Sequence, residues 1–384
     1  MRAPWQADWR SFAVDCVEVI ADAWLWASDD DLRPLERLRR DVPVYLHALG
    51  LNLGSVDGLD PEYVDRLRAL AERLDVEAVS DHFGWRSIDG HWSSTFLPVP
   101  LVPEAMAHFA SRVHAVQDRL RRILVLETAA EYVNVQPPGV DAADGLLALH
   151  EACGSEVLLD TCNLRVGGHN IGANAHDIAT RLAPITRYVH VAGFSRGPSA
   201  WIDDHGAAPE PETLRLAALP GVPVVLEWDR DLPGAEALRK CLAGVRTALS
   251  EPRPLLSEPV DGEGPETAAA RSKSWQGDFQ GLASWCRGFM AELMRPTKPG
   301  FDVLHADQVF GALSVLTEAY PVTRSTLGDN FRWLVREMVR QHCARDVHGL
   351  TWISAFGPWM RRRPELLDHP QREALEAEWV SHGE

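Results

Sequence analysis

The chain has 384 residues, of which 46% are hydrophobic and 24% are charged, a composition typical of a folded globular protein and not of a disordered one. Its 38 basic and 55 acidic residues give a net charge of −17, which disfavours nucleic acid as a partner because such binding depends largely on neutralised phosphates. No apolar run reaches about 18 residues, and Met1–Arg10 lacks the apolar core of a signal peptide, so we expect no membrane association.

Short apolar runs alternate with helical patterns between residues 14 and 250. In chain order the runs are Val14–Ile20, Val44–Leu49, Ala78–His82, Ile123–Glu127, Val157–Asp160, Tyr188–Ala192 and Val222–Glu227. They are continuous rather than alternating, which is typical of strands buried on both faces of a parallel sheet. Pro61–Leu74 and Glu104–Leu120 carry apolar residues at helical spacing. The alternation predicts a (β/α) barrel or a doubly wound sheet, and the lack of a glycine-rich fingerprint after the first run disfavours dinucleotide binding.

The seven runs are one fewer than the strands of a TIM barrel, as in an open barrel or one that lacks its first strand. We assign residues 1–249 to this barrel domain. Residues 250–269 are rich in Pro, Glu and Gly and are predicted to be a linker. Residues 270–384 carry mostly helical patterns, including Trp275–Arg295 and Ala306–His342, and are predicted to form a second, helical domain.

Six successive runs each carry a histidine or a carboxylate at or near their C-terminal end. The polar residues at or near these ends are His47, Asp81, His82, Glu127, Asp160, Asn163, His169, His190 and Glu227, and a loop adds Asp203, Asp204 and His205. In a parallel barrel these ends converge on one mouth, where buried charges must be paired or must coordinate a metal. A single histidine at a strand end is more often structural, but the repetition favours a metal site. The donors exceed the needs of one ion, so we expect two or three.

The nature of the donors restricts the metal and the compartment. Imidazoles and carboxylates together suit Fe, Mn or Zn. The six cysteines are scattered without a C-x-x-C pair, so they predict neither a thiolate cluster nor a disulfide framework. Such cysteine usage fits a reducing compartment, and we predict a cytoplasmic protein.

Several motifs in order resemble one enzyme family over about residues 14–235. The segments are LHALGLNLGS, VSDHFGW, FLPVPL, LETAAEY, LLDTCNLRVGGHN, VHVAGF, IDDHGAAPEPET and LEWDRDLP. They resemble the multinuclear non-heme iron-dependent oxidative enzymes, the family that includes the methanobactin-forming iron enzyme. The resemblance implies a TIM barrel similar to that of xylose isomerase, with two or three irons, Fe(II) and Fe(III) mixed, at its mouth and with O2 as co-substrate.

The resemblance also implies a set of metal ligands. The matching positions are His47, His82, Glu127, Asp160, Asn163, His190, Asp203, His205 and Glu227, and His169 and Asp204 are further candidates. Thr128 and Cys162 stand where the family has Asn, and the usual Gly-rich opening strand is absent.

The C-terminal part resembles the helical domain of partner proteins encoded beside such enzymes. This second resemblance rests on LTEAYPVTRSTLGDNFRWLVREMVRQH and GLTWISAFGPWM. In those partners the domain is thought to hold the precursor peptide. Because the domain is fused here, a separate partner protein is expected to be unnecessary.

The resemblance implies oxidation of a ribosomally made precursor peptide, with cysteine as the commonest target. One alternative is a divalent-metal isomerase or hydrolase of a sugar or phosphoester, which a similar ligand ring would serve. Such sites often use lysine, and only Lys240 lies near the end of the barrel. A second alternative is a non-catalytic recruitment protein, against which the intact ligand positions argue.

Overall fold

A computed structural model describes residues 9–197, 200–250, 281–294 and 320–327, together with single positions between 331 and 375. The described strands are β1 Val17–Ile20, β2 Val44–His47, β3 Ala78–His82, β4 Trp85–Ile88, β5 His91–Leu97, β6 Leu124–Glu127, β7 Glu156–Asp160, β8 Thr186–Val191, β9 Gly193–Arg196, β10 Trp201–Ala207 and β11 Val224–Leu226. The described α-helices are α1 Asp29–Asp41, α2 Pro61–Leu74, α3 Pro103–Leu120, α4 Ala142–Cys153, α5 Thr161–Ile171, α6 Ala175–Leu182, α7 Pro211–Leu216, α8 Ala235–Ser250, α9 Leu282–Met294 and α10 Pro321–Leu327. Within these parts of the chain, no helix is both long enough and apolar enough to cross a membrane.

Seven strands form one sheet in the order β1-β2-β3-β6-β7-β8-β11, and every neighbouring pair is parallel. Each strand overlaps one of the seven predicted runs, so the parallel, nearly closed barrel predicted from the sequence is confirmed. The bounds differ by up to three residues at the ends, because ladder hydrogen bonding does not follow the limits of the apolar runs.

The interior of the barrel is built in layers. A lower layer holds Tyr45, Ala78, Val125, Leu158 and Tyr188, with Cys16 and Val225 packed against it. Because successive strand side chains alternate between faces, the residue two positions later on each strand faces the same interior. Those residues, nearer the carboxyl ends, are Glu18, His47, Ser80, Glu127, Asp160, His190 and Glu227. The polar layer therefore follows from strand alternation above an apolar floor.

Capping residues fix where the helices around the barrel begin and end. Helix α2 begins at Pro61, where the Asp60 side chain accepts hydrogen bonds from the backbone N–H groups of Glu62 and Tyr63. The helix ends at Leu74, and the left-handed backbone of the next residue, Asp75 (φ +45°), stops the helical hydrogen bonding. Its leucines Leu67, Leu70 and Leu74 are buried, so the helix is held in place by burial as well as by its caps.

A cavity of about 880 Å³ lies where the edge strands β1 and β11 face each other. Its walls include Val17, Glu18, Val224 and Glu227 from the two strands, and Leu242 of α8. In the described chain, β1 pairs only with β2 and β11 only with β8. The barrel is thus open along this one seam.

Two antiparallel hairpins interrupt the parallel pattern and were not predicted. One joins β4 to β5, and the other joins β9 to β10. The interpretation of residues 201–209 as a loop is wrong for Trp201–Ala207, which form β10. The cause is an irregular register between Ile202 and Ala207, where His205 takes a left-handed conformation (φ +43°) and breaks the strand pattern.

The chain divides into two compact units. The described residues up to 250, apart from residues 55–57 and 86–97, form the barrel unit, and those two segments belong with the described residues from 281 onward. Helix α9 falls within the predicted helical pattern 275–295 and α10 within 306–342. The second unit has its own core, in which the Phe356 ring packs against Tyr320 and Phe331. The predicted linker lies outside the described residues except for Ser250.

Candidate metal centre

His47, His82 and Glu127 come together at the ends of β2, β3 and β6, and we call them the outer group. One potential ligand atom of each lies within 4.8 Å of the others. Oε2 of Glu127 is 3.2 Å from Nε2 of His47 and 3.3 Å from Nε2 of His82. Two imidazoles and a carboxylate that converge on one point provide N and O donors for a divalent cation.

Glu127, Asp160, His190 and Glu227 form a second set, the central group. Nδ1 of His190 lies 2.9 Å from Oε2 of Glu227, 3.5 Å from Oε1 of Glu127 and 3.7 Å from Oδ2 of Asp160. The two oxygens of Glu127 therefore face different groups, Oε2 the outer group and Oε1 the central group. A carboxylate placed in this way can bridge two cations.

Asp160, Cys162 and His205 form a third set, the hairpin group, because His205 is carried in on β10. Nε2 of His205 is 2.7 Å from Oδ1 of Asp203 and 3.7 Å from Oδ2 of Asp160. Its Nδ1 lies 3.1 Å from Oε2 of Glu227. Asp160 and Glu227 thus link this group to the central one.

Local structure leaves one oxygen of Asp160 available. Asp160 ends β7 and is the N-cap of α5, where its Oδ1 accepts a 2.7 Å hydrogen bond from the backbone N–H of Asn163. The other oxygen, Oδ2, is the one that faces His190 and His205. Asn163 is held on the same first turn by a 3.0 Å hydrogen bond from its Nδ2 to the carbonyl of Thr128.

Burial and crowding perturb the acid–base equilibria of these side chains. Burial raises the pKa of Glu127 to about 8 and lowers the pKa of His47 to about 4. Burial alone would lower the pKa of His190, but the carboxylates of Glu18 and Glu227 outweigh it and raise that pKa well above its usual value. In the same way, burial would raise the pKa of Glu227, yet His190 and His205 hold it well below normal. Burial therefore raises the proton affinity of Glu127, and the neighbouring carboxylates raise that of His190.

Many of the donor atoms do not form hydrogen bonds with one another but could bind metal ions. Several of these buried atoms lie close to one another, yet none has a partner in hydrogen-bonding geometry among the described residues. They are Glu127 Oε2, Asp160 Oδ2, Asn163 Oδ1, His190 Nδ1, Asp203 Oδ1 and His205 Nε2. Buried polar atoms are normally satisfied, so a set that converges in one pocket needs an explanation, and bound cations provide one. All are N or O donors, the chemistry preferred by iron, manganese and zinc.

Four candidate residues, Asn163, His169, Asp203 and Asp204, are not members of these groups. The ring of His169 stacks on Trp201, with centroids 4.3 Å apart and planes 4° from parallel. Asp204 is half-buried on the hairpin and accepts a hydrogen bond from the Ser195 hydroxyl. Asn163 and Asp203 each contact a neighbouring donor, and every other candidate ligand belongs to a group.

The structure adds residues that the sequence interpretation missed. Cys162 joins the hairpin group, and Asp229 forms a further set with His205 and Glu227. Beside the metal groups, Glu18, Ser80 and Tyr188 form a buried polar network. Glu18 had a signal in the sequence, because it is the only charged residue between Val17 and Ile20, a stretch expected to be buried on both faces.

Comparison with known proteins identifies the family. Residues 3–250 match the family model described as "RiPP precursor modification enzyme MbnB/TglH/ChrH", where RiPPs are ribosomally synthesised, post-translationally modified peptides. A UPF0276 protein of Acaryochloris marina is 31% identical over 249 residues, which cover 63% of this chain and 90% of that relative. A UPF0276 protein of Caulobacter vibrioides is 33% identical over 233 residues, which cover 59% of this chain and 82% of the relative.

Solved structures with a similar course of the chain include D-psicose 3-epimerase from Clostridium cellulolyticum (TM-score 0.42, 13% identity, 64% of this chain and 92% of that one). Endonuclease IV from Thermus thermophilus is another (TM-score 0.44, 14% identity, 64% of this chain and 93% of that one). The family match, by contrast, spans every strand of the parallel barrel and every candidate ligand. The chain therefore belongs to the family of RiPP precursor modification enzymes MbnB/TglH/ChrH.

Proposed function

We propose that this protein binds two or three iron ions at the barrel mouth and uses O2 to oxidise a residue, most often cysteine, of a ribosomally made precursor peptide. Membership of the family supports a precursor peptide as the substrate. The observation that carries the metal proposal is the sharing of carboxylates, since Glu127 belongs to the outer and central groups and Asp160 to the central and hairpin groups. Shared carboxylates are suited to neighbouring ions within one pocket.

The chain's own residues have definable tasks in this proposal. His47, His82 and Glu127 would hold one ion, Glu127, Asp160, His190 and Glu227 a second, and the hairpin group with Asp203 and Asn163 a third. Iron bound there would supply the redox chemistry with O2. His47, Glu127, Asp160 and His190 are almost completely buried, and the fixed N-cap of α5 keeps Oδ2 of Asp160 directed at its neighbours.

We further propose that residues 270–384 present the peptide, so that no separate partner protein is needed. The described part of this region contains a compact aromatic core of its own. Joined to the barrel by a segment rich in Pro, Glu and Gly, such a domain would raise the effective concentration of the peptide at the mouth.

Oxidation of a peptide by iron-loaded protein tests the proposal. Protein loaded anaerobically with Fe(II) is mixed, with and without O2, with a precursor peptide whose gene lies beside that of the protein. The mass of the peptide is then measured by mass spectrometry. We expect an O2-dependent mass change with wild type and none with His82→Ala. His169→Ala is the matched control, since that histidine lies outside the three groups. Full activity with stoichiometric zinc and without O2 would instead favour an isomerase or hydrolase.

A further inference from the structure

A buried hydrogen-bond relay connects a histidine of the outer group to a histidine of the central group. Nδ1 of His47 lies 2.7 Å from Oγ of Ser80, and that hydroxyl lies 2.6 Å from the hydroxyl of Tyr188. The Tyr188 hydroxyl donates a 2.8 Å hydrogen bond to Oε2 of Glu18, and Nε2 of His190 lies 2.9 Å from the same oxygen. We call these five residues the Glu18 relay, and all of them are buried.

The carboxylate of Glu18, which lies between Tyr188 and His190, determines the direction of every hydrogen bond in the relay. An ionised Glu18 can only accept, so both the Tyr188 hydroxyl and Nε2 of His190 must donate to it. The Tyr188 oxygen is then the acceptor for the Ser80 hydroxyl, and Oγ of Ser80 is the acceptor for Nδ1–H of His47. The relay therefore places a proton on Nδ1 of His47 and on Nε2 of His190.

The opposite nitrogens of the two rings face the metal groups. Nε2 of His47 is directed at Glu127 in the outer group, and Nδ1 of His190 at Glu127, Asp160 and Glu227 in the central group. An imidazole binds a metal through the nitrogen that carries the lone pair, and the hydrogen bond made by its other nitrogen selects which one that is. Glu18 thus contacts Nε2 of His190 directly and is linked to Nδ1 of His47 through Tyr188 and Ser80.

We propose that Glu18 is a positioning residue that fixes the tautomers of His47 and His190 and so prepares two metal positions at once, directly for His190 and through Tyr188 and Ser80 for His47. This inference rests on the proposed function in that the mouth binds metal. Glu18 is not itself assigned as a ligand, because Oε2 is already held by two donors and no ligand group among the described residues includes it.

Substitutions at different points of the relay should affect the two metal positions differently. Glu18→Gln removes the charge that orders both arms, so it should weaken the outer and central positions together. Tyr188→Phe and Ser80→Ala interrupt only the arm to His47, so they should weaken the outer position and leave the central one intact. Loss of the hydrogen-bond partner of a metal-binding histidine typically lowers metal affinity about 10- to 100-fold. Tyr45→Phe is the matched control, because Tyr45 packs on Tyr188 in the same floor but lies outside the relay.

Two measurements on the full-length protein test this. The first is Fe(II) affinity by chelator competition under anaerobic conditions, with the positions resolved by Mössbauer spectroscopy. The second is 15N NMR of histidine-labelled, metal-free protein, which reports the His47 tautomer without needing metal or peptide. We expect Nδ1–H on His47 in wild type and Tyr45→Phe, and a shift toward Nε2–H in Tyr188→Phe and Ser80→Ala.

Specific results would overturn the inference. An unchanged His47 tautomer in both Tyr188→Phe and Ser80→Ala would do so, as would equal weakening of both metal positions by Tyr188→Phe. If Glu18→Gln does not fold by circular dichroism, the nearly isosteric Tyr188→Phe decides the matter through the same readouts. Failure of the proposed function has a different signature: wild type would bind no iron while the NMR pattern of the relay remained as expected.

Discussion

Replacing Glu127 with glutamine should empty two metal positions rather than one. Its two oxygens face the outer and the central groups, and an amide has neither the charge nor the second carboxylate oxygen needed to serve both. His82→Ala, which touches only the outer group, should lose occupancy of that group alone. The contrast between the two variants distinguishes a bridging carboxylate from a ligand of a single ion.

The same substitution should stabilise the metal-free protein at high pH. Burial raises the pKa of Glu127 from 4.5 to about 8, so between these values the folded protein holds a proton that the unfolded chain releases. The contribution of this carboxyl to stability is thus fully present below pH 4.5 and is lost as pH rises through about 8. The difference corresponds to at most about 5 kcal/mol, and glutamine, which does not ionise, avoids the loss.

Urea unfolding of metal-free wild type and Glu127→Gln at about pH 5 and pH 9 measures this difference. We expect similar free energies of unfolding at the lower pH and a more stable variant at the higher one. Iron content by inductively coupled plasma analysis gives the occupancy after reconstitution. Equal iron content in Glu127→Gln and His82→Ala would show that Glu127 does not serve two metal positions. A variant no more stable than wild type at the higher pH would contradict the raised pKa of Glu127.

Three further predictions concern other parts of the chain. Gly145→Ala should destabilise the barrel by about 1–3 kcal/mol in urea unfolding, because the added Cβ would lie 2.6 Å from Leu101 and 2.9 Å from Phe83. Gly244 is exposed and no atom lies within 4 Å of a Cβ added there, so Gly244→Ala should stabilise α8 by up to about 1 kcal/mol. Deletion of residues 270–384 should raise KM for the precursor peptide while the barrel keeps its iron, and an unchanged KM would reduce the region to a structural role. Asp203→Asn should lower iron occupancy by one position, measured by metal analysis, since Oδ1 lies 2.7 Å from the His205 ring nitrogen; full occupancy would remove Asp203 from the site.

The parallel barrel could be predicted because its strands are buried on both faces and so appear as continuous apolar runs. The polar layer could be predicted for the same reason, since a histidine or carboxylate such as His190 or Glu127 stands out at the end of such a run. Both signals are local in sequence, and parallel topology alone brings the strand ends together.

The hairpin that carries His205 and the role of Glu18 could not be predicted, because the hairpin lacks a regular strand pattern and the role of Glu18 depends on a contact between residues that are distant in sequence. The hairpin that carries His205 into the site contains a register irregularity and a left-handed residue, which disrupt the alternation that would have identified a strand. The role of Glu18 depends on Tyr188, which is 170 residues away in sequence. Its charge within a buried run signalled that a partner must exist but not which one.

The most direct test of the central claim is the metal and oxygen dependence of peptide modification. Protein reconstituted with Fe(II) or with Zn(II) is mixed with the precursor peptide, and product is followed by mass spectrometry together with O2 consumption. We expect two to three irons per chain, product formed only by the iron protein, and O2 consumed as product appears. Product formed equally well by the zinc protein in the absence of O2 would contradict the central claim.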